Sequence, residues 1–146
     1  MRRISFITNT SSTIWSFPQT PGLIDGNLID AQVNSLSDFI YLPFSNMFIV
    51  TDYSNSRIRL IDMSTSQVSS YIGQSPSCGL QTGKTNSPSR IIIPSNSYSD
   101  MYFTTVYSPY TIMKMNRRTL TISRYATLLN QDDGGLISIN NTLYYA

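Results

Sequence analysis

Residues 48–73 read FIVTDYSNSRIRLIDMSTSQVSSYIG, and this stretch decides the fold. It contains three short runs rich in β-branched and aromatic residues, at 48–52, 57–62 and 68–73. Turns of Ser, Asn and Asp separate the runs, and no helical period connects them. The pattern predicts three antiparallel strands joined by short turns.

The same stretch recurs along the chain. Equivalent apolar positions lie 54 residues apart, namely Ile4, Ile58 and Ile112, and likewise Ile14, Val68 and Ile122. A fixed period of this length is typical of solenoids, propellers and arrays. We therefore expect a repeat protein built from β units.

Each complete unit has four predicted strands, named A to D in chain order. In the first complete unit they lie at 36–41, 47–51, 57–62 and 67–72. In the second they lie at 89–93, 100–105, 111–115 and 120–125. A C–D pair at 4–7 and 13–17 precedes these units, and an A–B pair at 136–139 and 143–145 follows them.

The composition limits the classes of function. Of the 146 residues, 40% are hydrophobic, which allows a sizeable core, but only 12% are charged, against roughly 25% in an ordinary soluble domain. His and Glu are absent, so the usual side chains for proton transfer and metal binding are missing. We expect no catalytic residue, no metal site and no cofactor.

The charge and the apolar runs argue against two kinds of partner. The net charge of +2 is too small for a nucleic-acid footprint, and the basic pairs Arg2-Arg3 and Arg117-Arg118 form no patch. No apolar run approaches the roughly 20 residues of a membrane span. The single cysteine, Cys78, fits a passive or intermolecularly paired thiol better than a nucleophile.

The repeated unit resembles a blade of the NHL-repeat β-propeller family. That blade has a leader with Gly and Asp-Gly turns, and a centre reading apolar-x-Val-Ala-Asp-x-x-Asn-x-Arg-Ile-x-x-apolar-Asp. Here residues 48–62 read FIVTDYSNSRIRLID, with Thr51 in place of the Ala. The leader reads GLIDG at 22–26 and VNSL at 33–36.

The resemblance implies roles for the motif residues. Asp52 and Asn55 are expected to bond turn amides, and Arg57 to pair with Asp52 across the B–C turn. The second unit departs from the pattern, because Thr105 replaces the Asp and Thr111 stands where Arg57 stands. The sharp motif therefore occurs once.

The resemblance also implies an all-β fold of four-stranded antiparallel propeller blades in an incomplete ring. The expected segments are a C–D half blade at 1–20, full blades at 33–73 and 86–128, and an A–B half blade at 134–146. A closed propeller needs about four to eight blades. Two explanations stay open: the chain is a fragment of a longer propeller, or its half blades complement those of a second copy in a ring or head-to-tail filament.

Two sequons predict N-glycosylation, although chance sequons are common in a Ser/Thr-rich chain. Asn9 falls in a predicted C–D turn and Asn140 in a predicted A–B turn. Alternating strand direction places both kinds of turn at the same end of a blade. The sugars would then share one end.

The opposite end, formed by B–C turns and D–A loops, is the predicted recognition surface. It carries Tyr53, Asn55, Tyr107 and Tyr110, a mixture of aromatic and amide groups that is enriched in binding surfaces. The same residues would equally serve to cover strand ends and pack loops.

Three function classes follow from these observations. The leading expectation is an extracellular or cell-surface structural or adhesive propeller, which contacts proteins, glycans or other copies of itself. The alternative is part of a six-bladed lactonase- or lyase-like enzyme whose active site lies outside this segment. An RNA-binding propeller would need a basic, aromatic-rich face, and the sequence does not supply one.

Overall fold

The computed structural model describes residues 2–5, 7–8, 10–13, 20–73, 86–95, 97–106, 110–128, 135–140 and 142–145. The predictions that concern Asn9, Cys78 and Tyr107 lie outside these residues. Thirteen strands form the described part: β1 (Arg2–Ser5), β2 (Thr10–Thr13), β3 (Gly26–Asn27), β4 (Leu36–Leu42), β5 (Met47–Asp52), β6 (Arg57–Asp62), β7 (Gln67–Ile72), β8 (Pro88–Ile92), β9 (Asp100–Thr105), β10 (Thr111–Asn116), β11 (Ile122–Thr127), β12 (Leu136–Ile139) and β13 (Thr142–Tyr145).

The strands form four antiparallel sheets. The first blade has the order β3-β7-β6-β5-β4, and the second blade has the order β11-β10-β9-β8. The other two sheets are the hairpins β1–β2 and β12–β13. The prediction of an all-β fold made of antiparallel, blade-like sheets in an incomplete ring is confirmed.

One strand of the first blade was not predicted. Gly26 and Asn27, which the sequence placed in a leader turn, pair with Val68 and Gln67 at the outer edge of the sheet. The blade therefore has five strands rather than four. The leader reaches this edge because its own backbone supplies the hydrogen bonds, which no side-chain pattern reveals.

The hairpin β1–β2 differs from the repeat-based prediction. The strands lie at Arg2–Ser5 and Thr10–Thr13, whereas the period placed them at 4–7 and 13–17. In the described part of the chain this hairpin has no neighbouring strand. All four residues of β2 are exposed, and register is weakly specified for a strand without a buried face, so the repeat does not fix it here.

The hairpin turns share one geometry. Four-residue turns connect β4 to β5, β5 to β6 and β6 to β7. The last residue of each turn has a left-handed backbone, at Asn46 (φ 53°), Ser56 (φ 50°) and Ser66 (φ 56°). Leu120 takes the same conformation (φ 58°) before β11, which is why this strand begins at Ile122 rather than at the predicted residue 120.

The A–B and C–D turns lie together at one end of the sheets. The Met63 amide donates to the Asn46 carbonyl at 3.1 Å in the first blade. At the other end, the Tyr53 amide of the B–C turn donates to the Ser35 carbonyl of the leader at 3.1 Å. The distribution of turns between the two ends is as predicted.

The main core lies between the two blades. Ile49 and Ile58 from the first blade pack with Met101, Phe103 and Met115 from the second, and all five side chains are fully buried. Burial of each such side chain stabilises the fold by about 1.5–3 kcal/mol. The interface is therefore a continuous apolar core.

The leader covers the opposite face of the first blade. Leu28, Ala31 and Val33 pack against Val50 and Ile61 of the sheet. The second blade thus covers one face of the first blade, and the leader covers part of the other face, around Val50 and Ile61.

Thr51 joins the two blades at their inner strands. Its hydroxyl accepts a hydrogen bond from the Asp38 amide at 2.7 Å, beside the bulge in β4. The same hydroxyl donates to the Ser89 carbonyl of β8 at 3.2 Å. Thr104 accepts from the Arg90 amide at 3.0 Å in the same way in the second blade. The Thr51 hydroxyl therefore has a structural role.

Candidate binding surfaces

A buried ionic network holds the leader onto the first blade. Asp52 and Arg59 are both fully buried, and Nη1 of Arg59 lies 3.0 Å from Oδ2 of Asp52. Arg59 also donates to the carbonyls of Ile24 and Gln32, each at 3.1 Å, and pairs with Asp25. Three leader residues, Ile24, Asp25 and Gln32, thus bind one guanidinium group.

The predicted ion pair between Asp52 and Arg57 is wrong. Arg57 lies directly opposite Asp52 in the ladder, but its guanidinium donates to the Ser70 hydroxyl at 2.6 Å. Arg59, one pleat further along the same face, reaches Asp52 diagonally because the leader carbonyls draw its side chain in that direction.

The Asp52 carboxyl group experiences opposing effects. Burial raises its pKa above the ordinary value, whereas the hydrogen bonds from Asn55 and Asn34 and the charge of Arg59 lower it. Burial has the larger effect. Keeping the Asp52 carboxyl group ionised in the interior therefore costs free energy, which its hydrogen bonds and Arg59 offset only in part.

The predicted recognition end is partly used for structure. The Asn55 side chain donates to the Gly22 carbonyl at 2.7 Å and to Asp52 at 2.9 Å, so both hydrogens of its amide are engaged inside the chain. Tyr53 and Tyr110 are partly buried at this end, and Tyr107 lies outside the described residues. A binding role for these residues stays a prediction.

One predicted glycosylation site can be located. Asn140 is exposed in the two-residue turn between β12 and β13, with φ 47°. Asn9 lies outside the described residues. The modification itself stays a prediction.

A cleft of about 400 Å³ separates the second blade from the hairpin β12–β13. It is lined by Pro94, Ser97, Tyr98, Ser99, Asp100, Tyr102, Tyr125, Ser138 and Leu143. The Tyr102 and Tyr125 rings meet edge to face, with centroids 5.0 Å apart. Sequence reasoning missed this cleft, because its residues come from three separate segments.

An ion pair lies beside the cleft. Nζ of Lys114 is 2.9 Å from Oδ2 of Asp100 and 6.0 Å from the centre of the Tyr102 ring. The hydrogen bond to Asp100 raises the pKa of Lys114. The cleft therefore combines tyrosine rings and hydroxyl groups with a carboxylate that already has a cationic partner.

Two apolar surfaces face solvent at opposite ends of the blade stack. We call the first the head face; it lies on the first blade and consists of Phe39, Tyr41 and Phe48. Phe39 and Tyr41 are 55% and 45% exposed, and both rings contact Phe48, with centroids 5.9 and 4.8 Å from it. The three rings together form an exposed apolar patch, which is a candidate interaction site.

The second surface, which we call the tail face, lies on the hairpin β12–β13. It consists of Ile137, Ile139 and Tyr144, which are 52%, 50% and 51% exposed. Ile137 lies directly opposite Tyr144 in the ladder. Alternation along the two short strands places all three side chains on one side.

The described residues contain neither a cluster of metal ligands nor a helix that could span a membrane. In these ranges, no group of three or more His, Cys, Asp or Glu side chains lies close enough together to hold a metal ion. The same part of the chain has no helix with the length and apolar character needed to cross a membrane.

Among solved structures, 12 chains are similar to this one. No protein-family model matches the sequence, and no curated protein matches it. A structural genomics protein of unknown function from Bacteroides thetaiotaomicron VPI-5482 is similar at a TM-score of 0.48 and 17% identity. The match covers 71% of this chain and 23% of that protein, so this chain spans less than a quarter of its length.

Proposed function

We propose that this chain belongs to an NHL-like β-propeller that acts outside the cell as a structural or adhesive protein. Its role is to contact proteins, with glycans as a second class of partner, rather than to catalyse a reaction. The observation that carries the proposal is the pair of exposed apolar surfaces, the head face and the tail face.

The composition of these surfaces supports a protein partner. Both consist of aromatic and large aliphatic side chains and contain no charged group, and the cores of protein interfaces are depleted of charge and enriched in aromatic residues. Side chains such as Phe39 and Ile137, each about half exposed, would lose their remaining contact with water on binding.

The proposed location rests on the sequon at Asn140 and on the low charge of the chain. If the chain is expressed through a secretory route, glycosidase digestion should reduce its mass, and Asn140→Gln should remove part of that reduction. Asn9→Gln is the matched variant for the second sequon. An unchanged mass for the unsubstituted chain would contradict the extracellular assignment.

The binding role is tested by immobilising the chain and probing it separately with the soluble chain and with a printed array of oligosaccharides. We expect saturable binding of the soluble chain, reduced at least tenfold by Phe39→Asp. Leu120→Asp, at a turn residue that is 45% exposed and lies outside both faces and the cleft, is the matched control. Binding to neither probe would overturn the proposal.

The alternative expectation is a lactonase- or lyase-like propeller with its active site outside this segment. No observation among the described residues favours it over a binding role.

A further inference from the structure

We propose that the tail face of one copy packs against the head face of a second copy, and that this contact reproduces the interface between the first and second blades. The inference rests on the proposed binding role and specifies the partner, which is another copy of this chain. It follows from three sets of structurally equivalent residues.

The interface inside the chain provides the template. On the first blade, Ile40, Leu42 and Ile49 face the second blade. On the second blade they meet a surface formed by Ile91, Ile93 and Met101. We call the surface of Ile40, Leu42 and Ile49 the donor half of this interface, and the surface of Ile91, Ile93 and Met101 the acceptor half.

The tail face is equivalent to the donor half. Ile40 lies opposite Ile49 in the first blade, and Leu42 closes the turn that leads to β5. In the hairpin β12–β13, Ile137 lies opposite Tyr144 and Ile139 closes the turn. The three tail residues therefore occupy the positions of Ile40, Ile49 and Leu42, but they are about half exposed.

The head face is equivalent to the acceptor half. Phe39 lies opposite Val50 in the first blade, as Ile91 lies opposite Phe103 in the second. Alternation then places Tyr41 at the position of Ile93, and Phe48 at that of Met101. A single chain therefore exposes both halves of an interface that it also forms internally.

Such an interface is heterologous, because two different surfaces meet. Copies joined in this way form a ring if the rotation closes, and a filament if it does not. Contact at the faces also brings the free edge of β13 towards the second copy. In the described part of the chain, β13 pairs with β12 alone and β1 with β2 alone. The hairpin β12–β13 of one copy and the hairpin β1–β2 of the next would then together supply the four strands of one blade.

The contact is tested by analytical ultracentrifugation of the 146-residue chain and its variants. Phe39→Asp removes the head face and Ile139→Asp removes the tail face. Leu120→Asp, at an exposed turn residue, is the control outside both faces and the cleft. Tyr41→Glu and Ile137→Asp are second variants for the two faces, to be used if circular dichroism shows that a first variant is unfolded.

The decisive sample is a mixture of the head and tail variants. Each variant retains one intact face, so each alone should be monomeric, whereas the mixture should give a 1:1 dimer that cannot extend. The unsubstituted chain and Leu120→Asp should also associate, either into a ring of fixed size or into filaments that lengthen as concentration rises.

Three outcomes would overturn the inference: a monomeric unsubstituted chain, association that persists in the single variants, or a mixture that stays monomeric. These outcomes are separable from the proposed function. A monomeric chain that still binds the oligosaccharide array would retain a binding role and lose only the head-to-tail contact.

Discussion

Arg59 and Asp52 form an ion pair in which neither side chain has any solvent exposure, with 3.0 Å between Nη1 and Oδ2. The same guanidinium group binds two leader carbonyls and Asp25. The leader and the first blade therefore depend on one cation, and this dependence can be measured.

Substitution of Arg59 should be far more costly than substitution of Arg57. Arg59→Met leaves Asp52 buried without its cation, so we expect a loss of about 3–5 kcal/mol in the free energy of unfolding. Arg57→Met removes a hydrogen bond to Ser70, worth about 1 kcal/mol. Urea denaturation followed by circular dichroism measures both, and equal losses would contradict the assigned pairing.

Removal of the Thr51 hydroxyl should loosen the junction between the blades. Thr51→Val keeps the side-chain shape but leaves the Asp38 amide without its acceptor, which we expect to cost about 1–3 kcal/mol. Thr127→Val, at an exposed strand end, should change stability by no more than about 0.5 kcal/mol. Thermal unfolding of the two variants provides the comparison, and similar midpoints would refute a role for the hydroxyl.

The Asp62 carboxylate should make the free energy of unfolding depend on pH. The Ser64 amide, 2.8 Å from Oδ1, holds the pKa of the Asp62 carboxyl below its usual value of 3.8. A carboxyl group whose pKa is lower in the folded state contributes stability above the unfolded value and loses it as pH falls through the folded value. Asp62→Asn should therefore be less stable than the unsubstituted chain at about pH 6, and the difference should shrink at a pH well below 3.8.

Urea unfolding at both pH values measures this dependence. Asp30→Asn provides a matched carboxylate-to-amide change in an exposed turn. A gap between Asp62→Asn and the unsubstituted chain that stays constant with pH would show that the carboxylate is not responsible.

Gly73 is required by its backbone conformation and by its surroundings. Its φ is 103°, and an added Cβ would lie 2.7 Å from the Ser56 carbonyl oxygen. We expect Gly73→Ala to destabilise the fold by about 1–3 kcal/mol. Gly135→Ala, where nothing lies within 4 Å of the new Cβ, is the control, and equal melting temperatures for the two variants would contradict this reading.

The strand pattern could be predicted largely from the sequence, because alternation and turn residues act locally. Strands β6, β9 and β12 begin and end where the pattern placed them. Strand β3 could not be found in this way, because two residues paired through their backbone leave no periodic signal. The position of β1–β2 was also missed, because no neighbouring sheet in the described part selects the register.

The candidate surfaces could be predicted less well than the strands. The choice between Arg57 and Arg59 depends on where the leader carbonyls lie, and the cleft depends on three segments that meet only in the fold. Asn55 has the residue type of a recognition surface, but the structure engages its amide in holding the leader. Residue type alone does not distinguish a side chain that binds a partner from one that fixes a loop.

Strand β3 has a consequence for the order of events during synthesis. Each hairpin of the first blade pairs segments that are neighbours in sequence. Gly26, in contrast, pairs with Val68 of β7 and must wait until β7 has left the ribosome. Long-range pairings of this kind pay the cost of loop closure before they stabilise the fold. The leader should therefore dock last, so that protection of its amides from hydrogen exchange reports when a blade has been completed.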